Sequence, residues 1–211
     1  MRLIVISSSR TIENETEIVT KFFEQGLQTF HLRKRRFSRG KTKQFINSIP
    51  NMYHERIVLH YHHTLARKYN LKGIHLSKSH KKKQLKTWLI LKFLRFSNPN
   101  IEVSTSYNNI GQLLEPNKTY KYSYVFLSPV FDSLSSKFQS GFTENSLRTA
   151  LEKSEYKVIA RGGVDVEAIE KAHRIGFEGL AFYSAIWKKK DAITEFLKAI
   201  EKYKSSNISI E

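Results

Sequence analysis

Cysteine is absent from this 211-residue chain, which excludes disulfide bonds, thiolate metal sites and a cysteine nucleophile. Acidic residues are scarce too, since 19 Asp and Glu stand against 36 Lys and Arg, for a formal net charge of +17. A positive surface potential attracts anions of every kind and does not choose among them. The sequence also lacks an apolar run of the roughly 20 residues that a bilayer span needs. We therefore expect a cytoplasmic protein without a membrane partner.

The chain has only 4 prolines and 9 glycines, and no stretch rich in Pro, Gly or Ser marks a linker between domains. Short β-type runs alternate with amphipathic helical segments such as residues 15–25, 64–69, 143–151 and 166–175. The last of these is expected to end at Gly176 with a left-handed cap. The predicted strands are residues 3–7, 29–32, 57–59, 73–76, 102–106, 124–127, 157–160 and 179–182. This alternation predicts an α/β fold, a single-domain (β/α)8 TIM barrel over residues 1–204, followed by a flexible tail at 205–211. A doubly wound open sheet remains the alternative, because a pattern alone does not show closure.

In a barrel of this kind the functional residues follow the carboxyl ends of the strands. Strand seven ends at Gly162 and Gly163, and Ser184 follows strand eight. Paired glycines let the main chain approach a ligand closely and direct N–H groups toward it, which suits a phosphate. The alternative is a tight turn that needs glycine for its geometry only. The neighbouring Ser184 makes a phosphate site the better interpretation, and Asp165 is expected to cap the next helix.

Six segments, taken in order, resemble the thiamine-phosphate synthase family and its relatives, the thiazole tautomerases. They are GLQTFHLRKR (26–35), LKGIHLSKS (71–79), IEVSTSY (101–107), YVFLSPVFDS (124–133), VIARGGV (158–164) and GLAFYSAI (179–186). The resemblance implies a barrel, a homodimer, and phosphorylated small molecules as partners. It also implies a transferase reaction, in which pyrophosphate leaves hydroxymethylpyrimidine pyrophosphate and the nitrogen of thiazole phosphate attacks the pyrimidine cation.

The resemblance also implies roles for individual residues. Those matched to the catalytic, pyrophosphate-binding positions are Arg33, Arg35 and Lys137. Those matched to substrate-binding positions are His31, His60, Ser104, Ser133, Ser135, Ser136, Gly162, Gly163 and Ser184. One extra residue in the loop after strand six leaves open whether Ser136 or Lys137 takes the family position.

The cofactor that the resemblance implies is Mg²⁺, but its usual aspartate ligands correspond here to Tyr61 and His80. Mg²⁺ prefers oxygen ligands, and phenol and imidazole are poor substitutes for carboxylates. We therefore assign no metal ligand from the resemblance. In the tautomerase branch a catalytic histidine is expected in strand five, where this chain has Ser106.

Several functions remain open at this point. One is a synthase in which Lys34, Arg35 and Arg36 replace the charge of Mg²⁺, and another is a noncatalytic or regulatory paralogue that binds a phosphorylated ligand. A third is a polyanion-binding module, although no nucleic-acid-recognition motif favours a nucleic-acid partner.

The histidines raise a separate possibility. His31, His60 and His62 follow neighbouring strands and could converge on a transition metal, although such histidines more often serve as hydrogen-bond donors. His75 is expected to be structural. The aromatic residues Trp88, Phe93 and Phe96 are expected to pack against the barrel or to form a dimer contact.

Overall fold

The computed structural model describes residues 1–115, 117, 119–132 and 142–211. Its strands are β1 (Arg2–Ile6), β2 (Thr29–Leu32), β3 (Ile57–Leu59), β4 (Gly73–Leu76), β5 (Glu102–Tyr107), β6 (Tyr124–Leu127), β7 (Val158–Arg161) and β8 (Gly179–Phe182). They are hydrogen-bonded in sequence order as a closed barrel. The pairings are parallel wherever their register is described. The predicted (β/α)8 barrel is confirmed, and the open doubly wound sheet is excluded.

The described helices follow the strands. They are α1 (Glu15–Glu24), α2 (Arg39–Asn47), α3 (Leu65–Lys68), α4 (Lys78–Lys82), α5 (Gln84–Ser97), α6 (Gly111–Leu114), α7 (Glu144–Lys153), α8 (Ala168–Ile175), α9 (Ser184–Trp187) and α10 (Ala192–Ser205). A 3-10 helix, Asn51–Arg56, precedes β3.

Local sequence explains why these elements form. Strands such as β6 and β8 are apolar and wholly buried, as expected for a parallel sheet covered by helices. Helix α8 buries Ala168, Ile169, Ala172 and Ile175, which recur at helical spacing along one face. It ends at Gly176, whose φ of 105° is the left-handed cap that the sequence predicts. The apolar periodicity therefore places the elements correctly.

Two compact units can be described separately. The C-terminal unit consists of residues 1–5 and 106–211, and the N-terminal unit consists of residues 6–105. The C-terminal unit holds residues 2–5 of β1, residues 106–107 of β5, and β6–β8, and the N-terminal unit holds Ile6, β2–β4 and residues 102–105 of β5. The two candidate sites described below each lie within one unit.

The C-terminal residues and helix α5 bear on two predictions from the sequence. Ile208 is buried, and its N–H donates to the carbonyl of Tyr203 at 2.9 Å, while the flexibility of residues 205–211 stays a prediction. On α5 the side chains of Trp88 and Phe96 are 51% and 86% exposed, so packing of these two against the barrel is wrong. Their role in a dimer contact stays a prediction.

In the part of the chain that the structure describes, every helix is too short or too polar to cross a membrane.

Candidate functional site

The turn after β7 is built around two glycines that no other residue could replace without strain. Gly162 has a φ of 86° and Gly163 a φ of 66°, both in the left-handed region. A Cβ added to Gly163 would lie 2.2 Å from the carbonyl oxygen of Phe131. The N–H of Phe131 in turn donates to the carbonyl of Gly162 at 3.1 Å, which holds the two segments together. The main chain of Gly163 is therefore fixed in one conformation.

A cavity of about 350 Å³ lies beside this turn in the C-terminal unit. Its lining residues are Gly163, Val164, Asp165, Ser184, Ala185, Lys188 and Lys189. Among the described residues, no protein acceptor takes the main-chain N–H groups of Gly163, Val164, Ser184 and Ala185. The structure thus brings together Gly163 and Ser184, two of the three predicted phosphate-binding residues, whereas Gly162 supports the turn without lining the cavity.

Charged side chains complete this cavity. Asp165 Oδ1 accepts the N–H of Ala168 at 3.1 Å, which confirms its predicted capping role although it also lines the cavity. Lys188 and Lys189 bring two cations that the predicted set of phosphate-binding residues does not include. The available signal was the run of three lysines that follows the last strand by a few residues. The two ammonium groups outweigh the single carboxylate, so the cavity favours an anion.

Three buried histidines lie together in the N-terminal unit. His31 is in β2, His60 directly follows β3, and His75 is in β4, and all three are less than 5% exposed. Val58 pairs with Gly73 and Leu59 with Ile74, so the next residues along these parallel strands are His60 and His75. Side chains two residues apart on a strand point to the same face, so His60 shares a face with Val58. Val58 pairs with His31 on β2, which brings His31 and His60 close together.

The three rings are in direct contact. His31 Nδ1 lies 3.0 Å from His60 Nε2. The rings of His60 and His75 are stacked, with centroids 4.2 Å apart and planes inclined by 24°. His75 Nδ1 lies 3.0 Å from the hydroxyl oxygen of Ser104, which is buried on β5. One nitrogen from each ring lies within 4.8 Å of the other two. We call His31, His60 and His75 the histidine triad.

The histidine that the sequence paired with His60 is not part of this triad. His62 has a φ of 56°, so the chain has already left the strand, and the ring reaches the carbonyl of Phe37 at 2.9 Å. The convergence of His31, His60 and His62 is therefore wrong, and His75 takes the place of His62. The register between β3 and β4, which places His75 beside His60, cannot be seen in the sequence pattern.

His63 and His80 are neighbours that serve the local structure. Burial, followed by the charge of nearby His80, lowers the pKa of His63 to about 3. Burial and the Lys83 ammonium lower the pKa of His80. His80 Nδ1 accepts the N–H of Ser77 at 3.2 Å and closes the first turn of α4.

The positions of the family's magnesium ligands do not fit Mg²⁺ in this chain. The rings of Tyr61 and His80 lie with centroids 6.3 Å apart, and His80 is engaged in capping a helix. Neither residue offers the carboxylate oxygen that Mg²⁺ prefers.

The basic residues after β2 have different roles. The N–H of Arg33 donates to the Ser7 hydroxyl at 2.8 Å, and the Arg35 side chain is exposed. Neither guanidinium has an ion-pair or hydrogen-bond partner in the described ranges. Lys34, by contrast, is buried and forms an ion pair with Glu15. The expectation that Lys34 replaces the charge of Mg²⁺ is therefore wrong, because its own charge is already neutralised.

The remaining predicted site residues belong to the loop after β6. Ser133, Ser135, Ser136 and Lys137 lie outside the described residues. Their roles stay predictions.

Comparison with known proteins agrees with this fold. The sequence model of a family described as thiamine monophosphate synthase matches residues 3–186. A solved thiamine phosphate pyrophosphorylase from Bacteroides thetaiotaomicron has 30% sequence identity and a TM-score of 0.73, over 98% of this chain and 96% of that chain. The enzyme of the same name from Pyrococcus furiosus has 17% identity and a TM-score of 0.75, over 97% and 96% of the two chains. No curated protein matches this sequence.

A further solved structure shows the fold alone. A 3-hexulose-6-phosphate synthase has 13% identity and a TM-score of 0.60, over 96% of this chain and 99% of that chain.

Proposed function

Because the chain belongs to the thiamine monophosphate synthase family, we propose that it binds a phosphorylated small molecule of the thiazole phosphate class in the cavity beside Gly163. The observation that carries this proposal is the set of four main-chain N–H groups around the cavity that donate to no acceptor among the described residues. Main-chain N–H groups that border one cavity and have no protein acceptor can donate to the same ligand, so this group of donors favours a ligand with several acceptor oxygens.

The chemistry of the cavity supports a phosphate over a neutral ligand. A phosphate monoester has oxygens for the main-chain donors of Gly163 and Val164 and for the hydroxyl of Ser184. Lys188 and Lys189 compensate its negative charge. Hydrogen bonds to charged groups are about twice as strong as those between neutral groups. The phosphate is therefore expected to contribute most of the affinity.

Replacing Ser184 or Lys188 with Ala should weaken binding of thiazole phosphate about tenfold or more, because each change removes a hydrogen bond to a charged group. Isothermal titration calorimetry of the purified chain measures this. Lys190→Ala is the matched control, since Lys190 belongs to the same lysine run but does not line the cavity. Equal affinity for the dephosphorylated thiazole alcohol, or an equal loss in the control, would contradict the proposal.

A second candidate function is the transferase reaction itself. In that reaction the bond between the pyrimidine methylene carbon and pyrophosphate breaks, and the thiazole nitrogen forms a new bond to the same carbon. The leaving pyrophosphate must be stabilised by cations. Arg33 and Arg35, whose guanidinium groups have no partner in the described ranges, support this candidate.

Under this second candidate function, the natural chain should turn over the two thiamine precursors at the same rate with and without Mg²⁺. A variant carrying His60→Asn, Tyr61→Asp and His80→Asp should instead show turnover that rises when Mg²⁺ is added, because oxygen ligands are restored. Chromatographic detection of thiamine phosphate measures both rates. Absence of product from the natural chain in either condition would exclude the transferase and leave a noncatalytic or regulatory ligand-binding function.

The polyanion-binding alternative depends on the net charge of +17 alone. Salt-sensitive binding of DNA or RNA, without preference for thiazole phosphate, would favour it. A cytoplasmic location and a homodimer remain part of the proposal.

A further inference from the structure

We propose that the histidine triad, His31, His60 and His75, is a binding site for a transition-metal ion of the Zn²⁺ class, with one coordination position open to a ligand. The proposal concerns the N-terminal unit only. It is independent of the phosphate cavity, which lies in the C-terminal unit, so either proposal can fail without the other.

The spacing of the nitrogens is close to what such a site requires. A tetrahedral ion with Zn–N distances near 2.0–2.1 Å holds its ligand nitrogens about 3.3 Å apart. His31 Nδ1 and His60 Nε2 are 3.0 Å apart, and all three candidate nitrogens lie within 4.8 Å of one another. Small rotations of the rings therefore suffice to bring the third nitrogen into place. In the described ranges, this is the only group of three or more His, Asp or Glu residues with such spacing.

The contact between two of the rings fits neutral imidazole, which is the form that binds metals. All three rings are almost fully buried. The contact between His31 and His60 requires one nitrogen to carry a proton and the other a lone pair. Binding of an ion at both nitrogens would move that proton to the other nitrogen of its own ring, which leaves one lone pair on each binding nitrogen.

Ser104 supplies a supporting contact of the kind found around protein metal sites. Its hydroxyl lies 3.0 Å from His75 Nδ1, and the register pairs His75 with Ser104 across β4 and β5. When the hydroxyl oxygen accepts a hydrogen bond from Nδ1–H, the lone pair of the ring is left on Nε2. Such second contacts set the orientation and the tautomer of a metal-binding histidine.

The kind of metal follows from the ligand set. Imidazole nitrogens suit Zn²⁺, Co²⁺, Ni²⁺ and Cu²⁺, whereas Mg²⁺ and Ca²⁺ prefer oxygen. Three protein ligands leave a fourth tetrahedral position, which is the arrangement that polarises a bound water or a ligand oxygen.

The test uses the full chain without a histidine tag, stripped of metal with a chelator and then titrated with Zn²⁺, Co²⁺ and Mg²⁺. We expect one Zn²⁺ or Co²⁺ per chain, no comparable binding of Mg²⁺, and a visible Co²⁺ spectrum typical of four-coordinate geometry. His60→Ala should weaken Zn²⁺ binding by more than about 100-fold, and Ser104→Ala by about 10- to 100-fold. Calorimetry with a competing chelator measures both.

Two matched controls define what would overturn the proposal. His173→Ala removes an exposed histidine of α8, and His62→Ala removes the histidine that reaches Phe37 instead of the triad. Both should leave Zn²⁺ affinity unchanged. If His60→Ala does not fold, as judged by circular dichroism, the Ser104→Ala variant decides. Failure of the natural chain to bind Zn²⁺ or Co²⁺, or unchanged affinity in the folded triad and Ser104 variants, would overturn the site.

Discussion

Replacing Lys34 with Met is expected to lower the free energy of unfolding by about 3–5 kcal/mol, because it leaves a buried carboxylate without its partner. Lys34 and Glu15 are each 5% exposed, and their charged ends form an ion pair. Lys34 Nζ also donates to the carbonyl of Arg10 at 2.8 Å, and Glu15 Oε1 accepts the N–H of Ser8 at 3.2 Å. The pair therefore ties the residues after β1 and β2 to the start of α1.

The pH dependence of this effect has a definite sign. Burial raises the pKa of the Glu15 carboxyl from 4.5, and the hydrogen bond and charge of Lys34 offset this only in part. A carboxyl with a raised pKa in the folded state opposes folding as pH rises above its unfolded pKa. Removing Lys34 raises this pKa further. The stability difference between the natural chain and Lys34→Met should thus shrink as pH falls toward 4.5.

Urea unfolding at several pH values measures both effects. Lys198→Met is the matched control, because Lys198 forms an ion pair with Glu195 at 2.8 Å but is 56% exposed. An exposed pair contributes less than about 1 kcal/mol. Adding Glu15→Gln to Lys34→Met should recover part of the loss, since the amide oxygen still accepts the N–H of Ser8 and carries no charge. Equal losses for Lys34→Met and Lys198→Met would show that burial does not matter here.

Gly163→Ala is expected to reduce both stability and phosphate binding. The left-handed conformation costs a residue with a Cβ about 1–2 kcal/mol. The collision with the Phe131 carbonyl, at 2.2 Å, adds an overpacking cost of about 1–3 kcal/mol. The main chain must move to relieve this contact, and the displaced N–H groups should weaken thiazole phosphate binding on the order of 100-fold.

Gly176→Ala separates the cost of the left-handed conformation from the cost of the collision. Gly176 also has a positive φ, 105°, but a Cβ added there meets nothing within 4 Å. This control should lose only the conformational cost and should keep its affinity for thiazole phosphate. Thermal unfolding and calorimetry of both variants provide the comparison. If both variants retain the same affinity, the turn at Gly163 is a geometric feature of the barrel without a role in binding.

The local pattern of the sequence was sufficient to predict where the strands of the fold lie. Five of the strands, among them Gly73–Leu76 and Gly179–Phe182, have the predicted bounds. The helix stop at Gly176 and the capping role of Asp165 were also found from local chemistry alone. Such features depend on the periodicity of apolar residues and on single residues with distinctive backbone preferences, both of which can be seen within a few positions of the chain.

The tertiary structure decided which distant side chains meet. Nothing near Lys34 in the sequence shows that it pairs with Glu15, because that contact depends on how α1 packs after β1. Lys188 and Lys189 line the same cavity as the turn after β7, a proximity that depends on the fold and not on the local sequence.

The histidines show most clearly that contacts between distant residues depend on strand register. A local pattern paired His60 with His62, but β3 ends at Leu59, and the left-handed residue at position 62 turns its ring away. Pairing between β3 and β4 put His75 beside His60 instead. The sequence by itself determined the strands, the helices and the glycine turn, because each depends on neighbouring residues. The partners of Lys34 and His60 depend on packing and strand register, which only the folded chain specifies.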